Sequence, residues 1–309
     1  MLKIENVVLP SAEQWEAIIR GTRNPKNSWD RMDSYATHIE DPETMETADY
    51  EYFIGPNDQK LLEGLAAGGP VHAKYRRMIP VYLDITAPLY WWKEFDTYKL
   101  GTVANSCSTM HKIHAKEFTL DDFSNEHLIM HDPDFSNFQF KEPYYVLKDH
   151  IIPCLNYYRE EFLKIGKELK NATNSIEAKR LAYDRKHVWW QMIQLLPSSY
   201  NQKRTVMLNY EVLVNIYRWR RDHKLTEWHT FCDWIESLPY QELITGEKKD
   251  NVPTVETEPV RHGEWVIDTG HDYTCSLCGH LLAFEQQCCA VNYCPSCGAK
   301  MDIGKGKAE

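Results

Sequence analysis

The chain has 309 residues, 43% hydrophobic and 26% charged, an ordinary balance for a water-soluble globular protein. Acidic residues outnumber basic ones, 45 to 35, and the formal net charge of -10 argues against a generally basic nucleic-acid coat. No stretch approaches the ~20 apolar residues of a membrane span. The N-terminal MLKIENVVLPSAEQWEAIIRG lacks the apolar core and small-residue cleavage site of a signal peptide, so a cytoplasmic protein with no membrane partner is expected.

Ser11-Ala-Glu-Gln14 reads as a helix start, with Ser11 as N-cap and Gln14 reaching back, and the helix is expected to run to Gly21. Residues 22–56 are polar and rich in Asp, Asn and Pro, and read as loop. A short helix over Asp58–Ala67 stops at the Gly68-Gly69-Pro70 breaker. Met78–Ile85, MIPVYLDI, reads as a strand, and Pro80 points to an edge or a bend. The run from Pro88 to Tyr98 is helical by pattern, Thr119-Leu-Asp-Asp122 offers another helix start, and Asp132–Glu142 reads as polar loop. From Pro143 the pattern is long and helical. One helix carries YYVLKDHIIPCLNYYREEFLKIGKEL with a kink at Pro153, and a second covers Ser175–Leu196 and ends at Pro197. A third covers Arg204–Asp222, and a fourth, Thr226–Leu238, is closed by Pro239. Residues 248–260, KKDNVPTVETEPV, hold two prolines and several charges without periodicity and form a linker. The expected division is a main domain over 1–247, this linker, and a separate unit over 261–309.

The nine cysteines are unevenly spread: Cys107, Cys154 and Cys232 are isolated, and six lie between 275 and 297. In a reducing compartment such clustering points to metal rather than disulfides. Cys275-Ser-Leu-Cys278 and Cys294-Pro-Ser-Cys297 form two CxxC pairs, each followed by glycine. A CxxC turn sets two thiolates on one side of a tight loop, and two such turns complete a tetrahedral four-sulfur shell suited to Zn2+. The competing reading is a set of free or disulfide-linked cysteines. Cys288 and Cys289 are spare and read as small residues packed in a hairpin. A unit of this size has little core of its own, so its fold is expected to depend on the metal. Such a ribbon can dock nucleic acid or protein; its mixed charges, Arg261, His262 and Lys300 against Glu264, Asp268 and Asp272, do not make a strong phosphate-binding patch.

Two stretches of the main domain resemble the flavin-dependent thymidylate synthase (ThyX) family. The first, His72–Met110, resembles the family's order of a His, a strand ending in an Ala-Pro-like step, and an aromatic-rich helix before its signature. Laying Ala87-Pro88 on that step puts Thr97-Tyr98-Lys99 at the signature's Arg-His-Arg, Ala104-Asn105 at its Asn-Glu, and Cys107 at its second Ser. The second, Leu196-Pro197 to Trp228, carries Asn209, Asn215 and Trp219-Arg220 in the family's register without gaps. The resemblance covers roughly residues 57–240 and none of the ribbon.

What the resemblance implies is an α+β domain, a small sheet with surrounding helices, assembled as a homotetramer whose sites draw on several subunits. It implies methyl transfer to deoxyuridylate or a related pyrimidine nucleotide, using FAD, NADPH and methylenetetrahydrofolate. It offers His72, Lys99, Asn209 and Asn215 to the cofactor and Arg220 and Asn105 to the nucleotide. The departures bear on phosphate binding: of the signature cations only Lys99 remains, a point charge without the guanidinium fork. Asn105 replaces a carboxylate and cannot act as a base.

Read by themselves, the same residues have plainer alternatives. Arg220 is a solvated helix end within RWRRD, and His72 is a loop histidine after a Gly-Gly-Pro turn. Asn209 and Arg220, eleven residues apart, share a helix face, with Asn215 about 120° away. Cys107, flanked by two serines, is either a nucleophile able to add to C6 of a pyrimidine or a small buried residue. Lys99, His111 and His114 are near enough in sequence to activate it. His111 and His114 lack a third ligand at a convincing offset for a metal. Two functions therefore stand: a divergent flavin-dependent enzyme acting on a pyrimidine nucleotide, or a non-catalytic binding protein of the same fold whose ribbon docks nucleic acid or protein.

Overall fold

The structure is a computed structural model that describes residues 2–40, 47–130, 142–246, 262–267, 273–279, 281 and 300–301. It divides into two compact units, Met1–Lys248 and Lys249–Glu309. Among the described residues no helix is long and apolar enough to cross a membrane.

The first unit is built on a four-stranded antiparallel sheet in the order β1-β4-β6-β5, from Lys3–Val8 (β1), Pro80–Pro88 (β4), Val103–Ser106 (β5) and Asn201–Asn209 (β6). Between β1 and β4 the chain forms α1 (Ala12–Arg23), a hairpin of β2 (Tyr35–Glu40) and β3 (Thr47–Phe53), and α2 (Pro56–Ala67). Helix α3 (Leu89–Phe95) follows β4, and the short α4 (Thr109–Lys112) follows β5. A helical segment, α5 (Pro143–Val146), passes through a π-turn over Leu147–Ile151 into α6 (Ile152–Asn171), which returns as α7 (Ser175–Leu195). After β6 come α8 (Tyr210–Arg220), α9 (Thr226–Ser237) and α10 (Glu242–Thr245).

Strand β4 explains the layering. Val81, Leu83, Ile85 and Ala87 are buried while Tyr82, Asp84 and Thr86 face the other way, the period-two alternation of a sheet with one covered face. It pairs with β6 over its whole length, from Pro80 opposite Asn209 to Pro88 opposite Asn201. The covered face packs on Trp15, Ile18 and Ile19 of α1, Trp91, Trp92 and Phe95 of α3, Leu213 and Ile216 of α8, and Trp228, Phe231 and Ile235 of α9. Side chains such as Phe95 and Phe231, fully buried, contribute about 1.5–3 kcal/mol each. A second cluster, centred on Ile113, Phe118, Phe123, Leu155, Phe162 and Met192, holds the α6–α7 hairpin.

Several expectations hold. Ser11 caps α1 with the reciprocal Gln14 bond, α2 stops at Gly68, and α7 and α9 end where the prolines require. Others are corrected. The third helix expected over Arg204–Asp222 is two elements: its first part completes β6, because the alternation Val206-Met-Leu208 buries every second side chain, and the helix starts only at Tyr210. The loop read over 22–56 contains the β2–β3 hairpin, and β1 is an additional strand. Strand β4 is interior rather than an edge; Pro80 is its first residue, a position that tolerates a missing N–H. Thr119–Asp122 closes one 3-10 turn only. Pro153 sits in the first turn of α6, and the π-turn before it takes the place of the kink. The polar loop over 132–142 and the linker over 248–260 fall almost wholly outside the described residues.

The second unit shows an antiparallel pair, β8 (Trp265–Ile267) with β9 (Tyr273–Cys275), and a short parallel pair, β7 (His262–Gly263) with β10 (Lys300–Met301).

Candidate functional site

The turn after α3 brings the two resembling stretches together. Gly101, at φ +83°, lies against the end of β6; a Cβ there would stand 3.0 Å from Nδ2 of Asn209 and 3.2 Å from Val212. Only glycine gives this turn both the left-handed backbone and the space. Asn209 is the N-cap of α8: its Oδ1 accepts the Val212 N–H at 3.1 Å. Lys99, next to this turn, is exposed, as is Asn215 on α8. His72 is exposed after α2 and its ring packs over Gly68.

Arg220, the last residue of α8, stands about 16 Å from Asn209 at 1.5 Å per residue. Its guanidinium donates to Oε2 of Glu94 at 2.7 Å and through Nε to the Tyr98 hydroxyl at 3.0 Å. It lies 4.8 Å above the Trp228 ring. The same Glu94 oxygen accepts Trp228 Nε1 at 3.0 Å and stands 3.3 Å from His223 Nε2. Arg220 is thus not a solvated helix end; it is held by an acid, a phenol and an indole that the sequence left without a role. The legible signal for Glu94 was its place one turn before Tyr98 on α3.

Cys107 continues the edge of β5. Its N–H donates to Lys203 O at 2.9 Å and its carbonyl accepts from Gln202 Nε2 at 2.8 Å, so strand register holds the residue while its side chain is exposed. The buried reading of Cys107 is corrected accordingly. Asn105, two residues back, is exposed opposite Thr205, whose hydroxyl donates to Asp84 at 2.6 Å. Asp84 also meets Asn6 at 2.8 Å and Lys203 at 3.1 Å. The bond from Thr205, then those from Asn6 and Lys203, pull its carboxyl down to about 2. The side chain of Lys203 is therefore already matched by Asp84 and Glu5.

The open face of the sheet carries two cross-strand rows. Val8, Tyr82, Met207 and Val103 form an apolar row; Glu5, Asp84, Thr205 and Asn105 form a polar one beside it. Such direct cross-strand neighbours interact as units of sheet surface.

In the second unit Cys275 is buried at the end of β9 and Cys278 is exposed. The Gly279 N–H returns to Cys275 O at 2.9 Å, and Gly279 has φ +72°. Cys294 and Cys297 lie outside the described residues, as do Cys288 and Cys289. Among the described residues, no group of three or more His, Cys, Asp or Glu is placed to hold a metal.

No protein-family model and no curated protein matches the chain. Among solved structures it is similar to thymidylate synthase X from Helicobacter pylori with FAD and dUMP, at 12% identity and a TM-score of 0.47, over 80% of this chain and 98% of that one. A second Helicobacter pylori ThyX structure, complexed with FAD and dUMP, gives 11% and 0.45 over 80% and 97%. A UMP/dUMP methylase, PolB from Streptomyces cacaoi, bound with 5-Br dUMP, gives 11% and 0.45 over 77% and 89%. Likeness of this degree says nothing of activity.

Proposed function

We propose that the chain is a divergent flavin-dependent enzyme that methylates a pyrimidine nucleotide, deoxyuridylate or a related one, in an assembly of several copies. The observation that carries the proposal is the meeting of the two resembling stretches. Strands β4 and β5 of the first flank β6 of the second, and Arg220 of the second bonds to Tyr98 and Glu94 of the first.

In this reading FAD supplies redox chemistry when bound, with NADPH and methylenetetrahydrofolate as co-reactants by resemblance. His72, Lys99, Asn209 and Asn215 are the residues offered to it. Within one protomer Asn209 uses its Oδ1 as a helix cap, and Lys99 is the only cation among the four, little charge for a pyrophosphate. The proposal therefore includes neighbouring copies, in the homotetramer that the resemblance implies. Arg220 and Asn105 are assigned to the nucleotide. Cys107 is assigned as nucleophile: its thiolate bonds to C6 of the ring while the C5–C6 electron pair shifts toward O4, leaving C5 ready to accept a one-carbon unit.

The second unit is proposed to hold Zn2+ through Cys275, Cys278, Cys294 and Cys297, closed and structural. The turn at Cys275–Gly279 supports this, since its backbone curls around the first cysteine pair.

Purified full-length protein should be yellow and release FAD on denaturation. A colourless preparation that takes up no added FAD overturns the enzyme reading. It then favours the alternative, a non-catalytic binding protein whose ribbon docks nucleic acid or protein.

A further inference from the structure

A cleft of about 390 Å³ opens between α4, α6 and α7, lined by Met110, His111, His114, Phe162, Arg185 and Trp189, among others. Its volume lies within the range of small-molecule sites, at the lower end. Its charge is one-sided. Among the described residues, His111, His114, Arg185 and Lys186 line it, and no acidic residue does. In a chain with ten more acids than bases this is unusual company. Among the described residues Arg185, Lys186, His111 and the neighbouring Arg159 have no ion-pair partner, as is true of several other basic residues of the chain.

Arg185 is positioned rather than loose: its guanidinium carbon lies 4.0 Å from the centroid of the Phe162 ring, and its Nε is directed to the Phe162 carbonyl at 3.4 Å. Gly166 makes room for it: a Cβ there would stand 3.1 Å from Arg185 Nε. The His114 ring packs on the other part of Phe162, centroids 4.5 Å apart. Nδ1 of His114 is buried without a hydrogen-bond partner, as is Nε of Arg159, which lies near the cleft without lining it. Burial first, and then Arg185, Lys112 and Arg159, disfavour the protonated imidazole. Positive charges gathered without a counter-charge cost free energy, and an anion in the cleft relieves that cost. The lining also has an apolar and aromatic part: Met110, Leu169 and Trp189, which stands one turn beyond Arg185 on α7 and is held by its Nε1 bond to Met110 O at 2.9 Å.

We propose that this cleft binds a phosphate ester of mononucleotide size, with its phosphate on Arg185, Lys186 and the two histidines and its flat ring against Trp189. The N–H edge of the Arg185 guanidinium suits a phosphate's paired oxygens, and the Trp189 ring suits a base. The inference does not rest on flavin chemistry, and it names residues separate from Arg220, Asn105 and Cys107.

The test is titration calorimetry of the full chain with uridine monophosphate, uridine and inorganic phosphate. The monophosphate should bind at least about tenfold tighter than either of the others, because it alone satisfies both parts of the lining. Arg185→Gln with Lys186→Gln should weaken it about tenfold or more. Ala182→Glu, a change at an exposed lining position of α7, should do the same by placing a carboxylate among the cations. Arg218→Gln, on exposed α8, should change nothing. Uridine binding as tightly as its monophosphate, or full affinity in both cleft variants, overturns the proposal. Equal affinity for inorganic phosphate overturns the assignment of the aromatic part. A monophosphate held only at Arg220 and Asn105 would keep its affinity in both cleft variants, so those variants separate this inference from the enzyme reading.

Discussion

Arg220 and Tyr98 meet at 3.0 Å, joining the end of α8 to the exit of α3 across 122 residues of chain. With Glu94 on the same guanidinium and Trp228 beneath it, the contact ties the two resembling stretches into one surface.

Removing that cation separates its two roles. Arg220→Ala leaves Glu94 with the Trp228 indole and His223 only. A charged hydrogen-bonded pair of this kind, discounted because Glu94 is about one-third exposed, is worth roughly 1–2 kcal/mol. A thermal melt should fall by about 2–8 °C. If nucleotide affinity also drops more than tenfold while Glu94→Gln keeps it, Arg220 serves the ligand. Equal losses in both variants would leave it a structural residue.

Asp58 offers a stability test by pH. It is buried, and accepts Arg23 Nε at 2.5 Å, the backbone N–H groups of Asp33 and Ser34 at 3.0 Å, and the Ser34 hydroxyl at 2.6 Å. Burial pushes its carboxyl up, but the bonds from Ser34, Asp33 and Arg23 outweigh this and hold it below the usual range. A depressed folded value means stability that is complete above the unfolded pKa of ~3.9 and lost as pH falls below it. Asp58→Asn should cost about 3–5 kcal/mol at pH 7, and that cost should shrink in urea melts taken toward pH 3. A cost that does not change with pH would show that charge is not what Asp58 contributes.

Thiol labelling of the native protein should rank the isolated cysteines. Cys107 is exposed at the edge of β5, while Cys232 is fully buried in α9 and burial pushes its thiol up to about 12. Peptide mapping after brief alkylation should find Cys107 modified and Cys232 protected. If flavin is bound, Cys107→Ser with unchanged turnover ends the nucleophile assignment.

Elemental analysis should give close to one zinc per chain, and Cys275→Ser should lose it. The main domain should survive chelation, because its core of Trp91, Trp92 and Phe231 owes nothing to metal. Zinc-free protein as isolated would return the cysteines to the plainer reading.

In solution, an assembly near 145 kDa by light scattering, four times the 36.3 kDa chain, is expected. A monomer would remove the neighbouring copies on which the proposed cofactor site depends.

Local signals carried much of the architecture. Ser11 with Gln14, the glycines after Ala67, and the prolines after α7 and α9 place helix ends because capping and missing N–H groups act within a few residues. Strand β6 was hidden for the opposite reason. Its alternating Val206-Met-Leu208 runs directly into the periodic helix α8, and only pairing with β4 and β5 separates them. The cleft was half legible: neither Arg185 nor Lys186 has an acid three or four residues away on its helix, a gap in charge pairing visible in the sequence itself.

By itself the sequence determined the cap of α1, the ends of α2, α7 and α9, the strand β4 and the cysteine spacing, since each depends on neighbours along the chain. Tertiary structure alone decided that Cys107 is exposed and that Arg220 is held by Glu94. It also decided that, among the described residues, His114, Arg159 and Arg185 gather without a carboxylate. Burial and charge balance depend on residues brought together from positions tens of residues apart, and no local pattern records who those neighbours are.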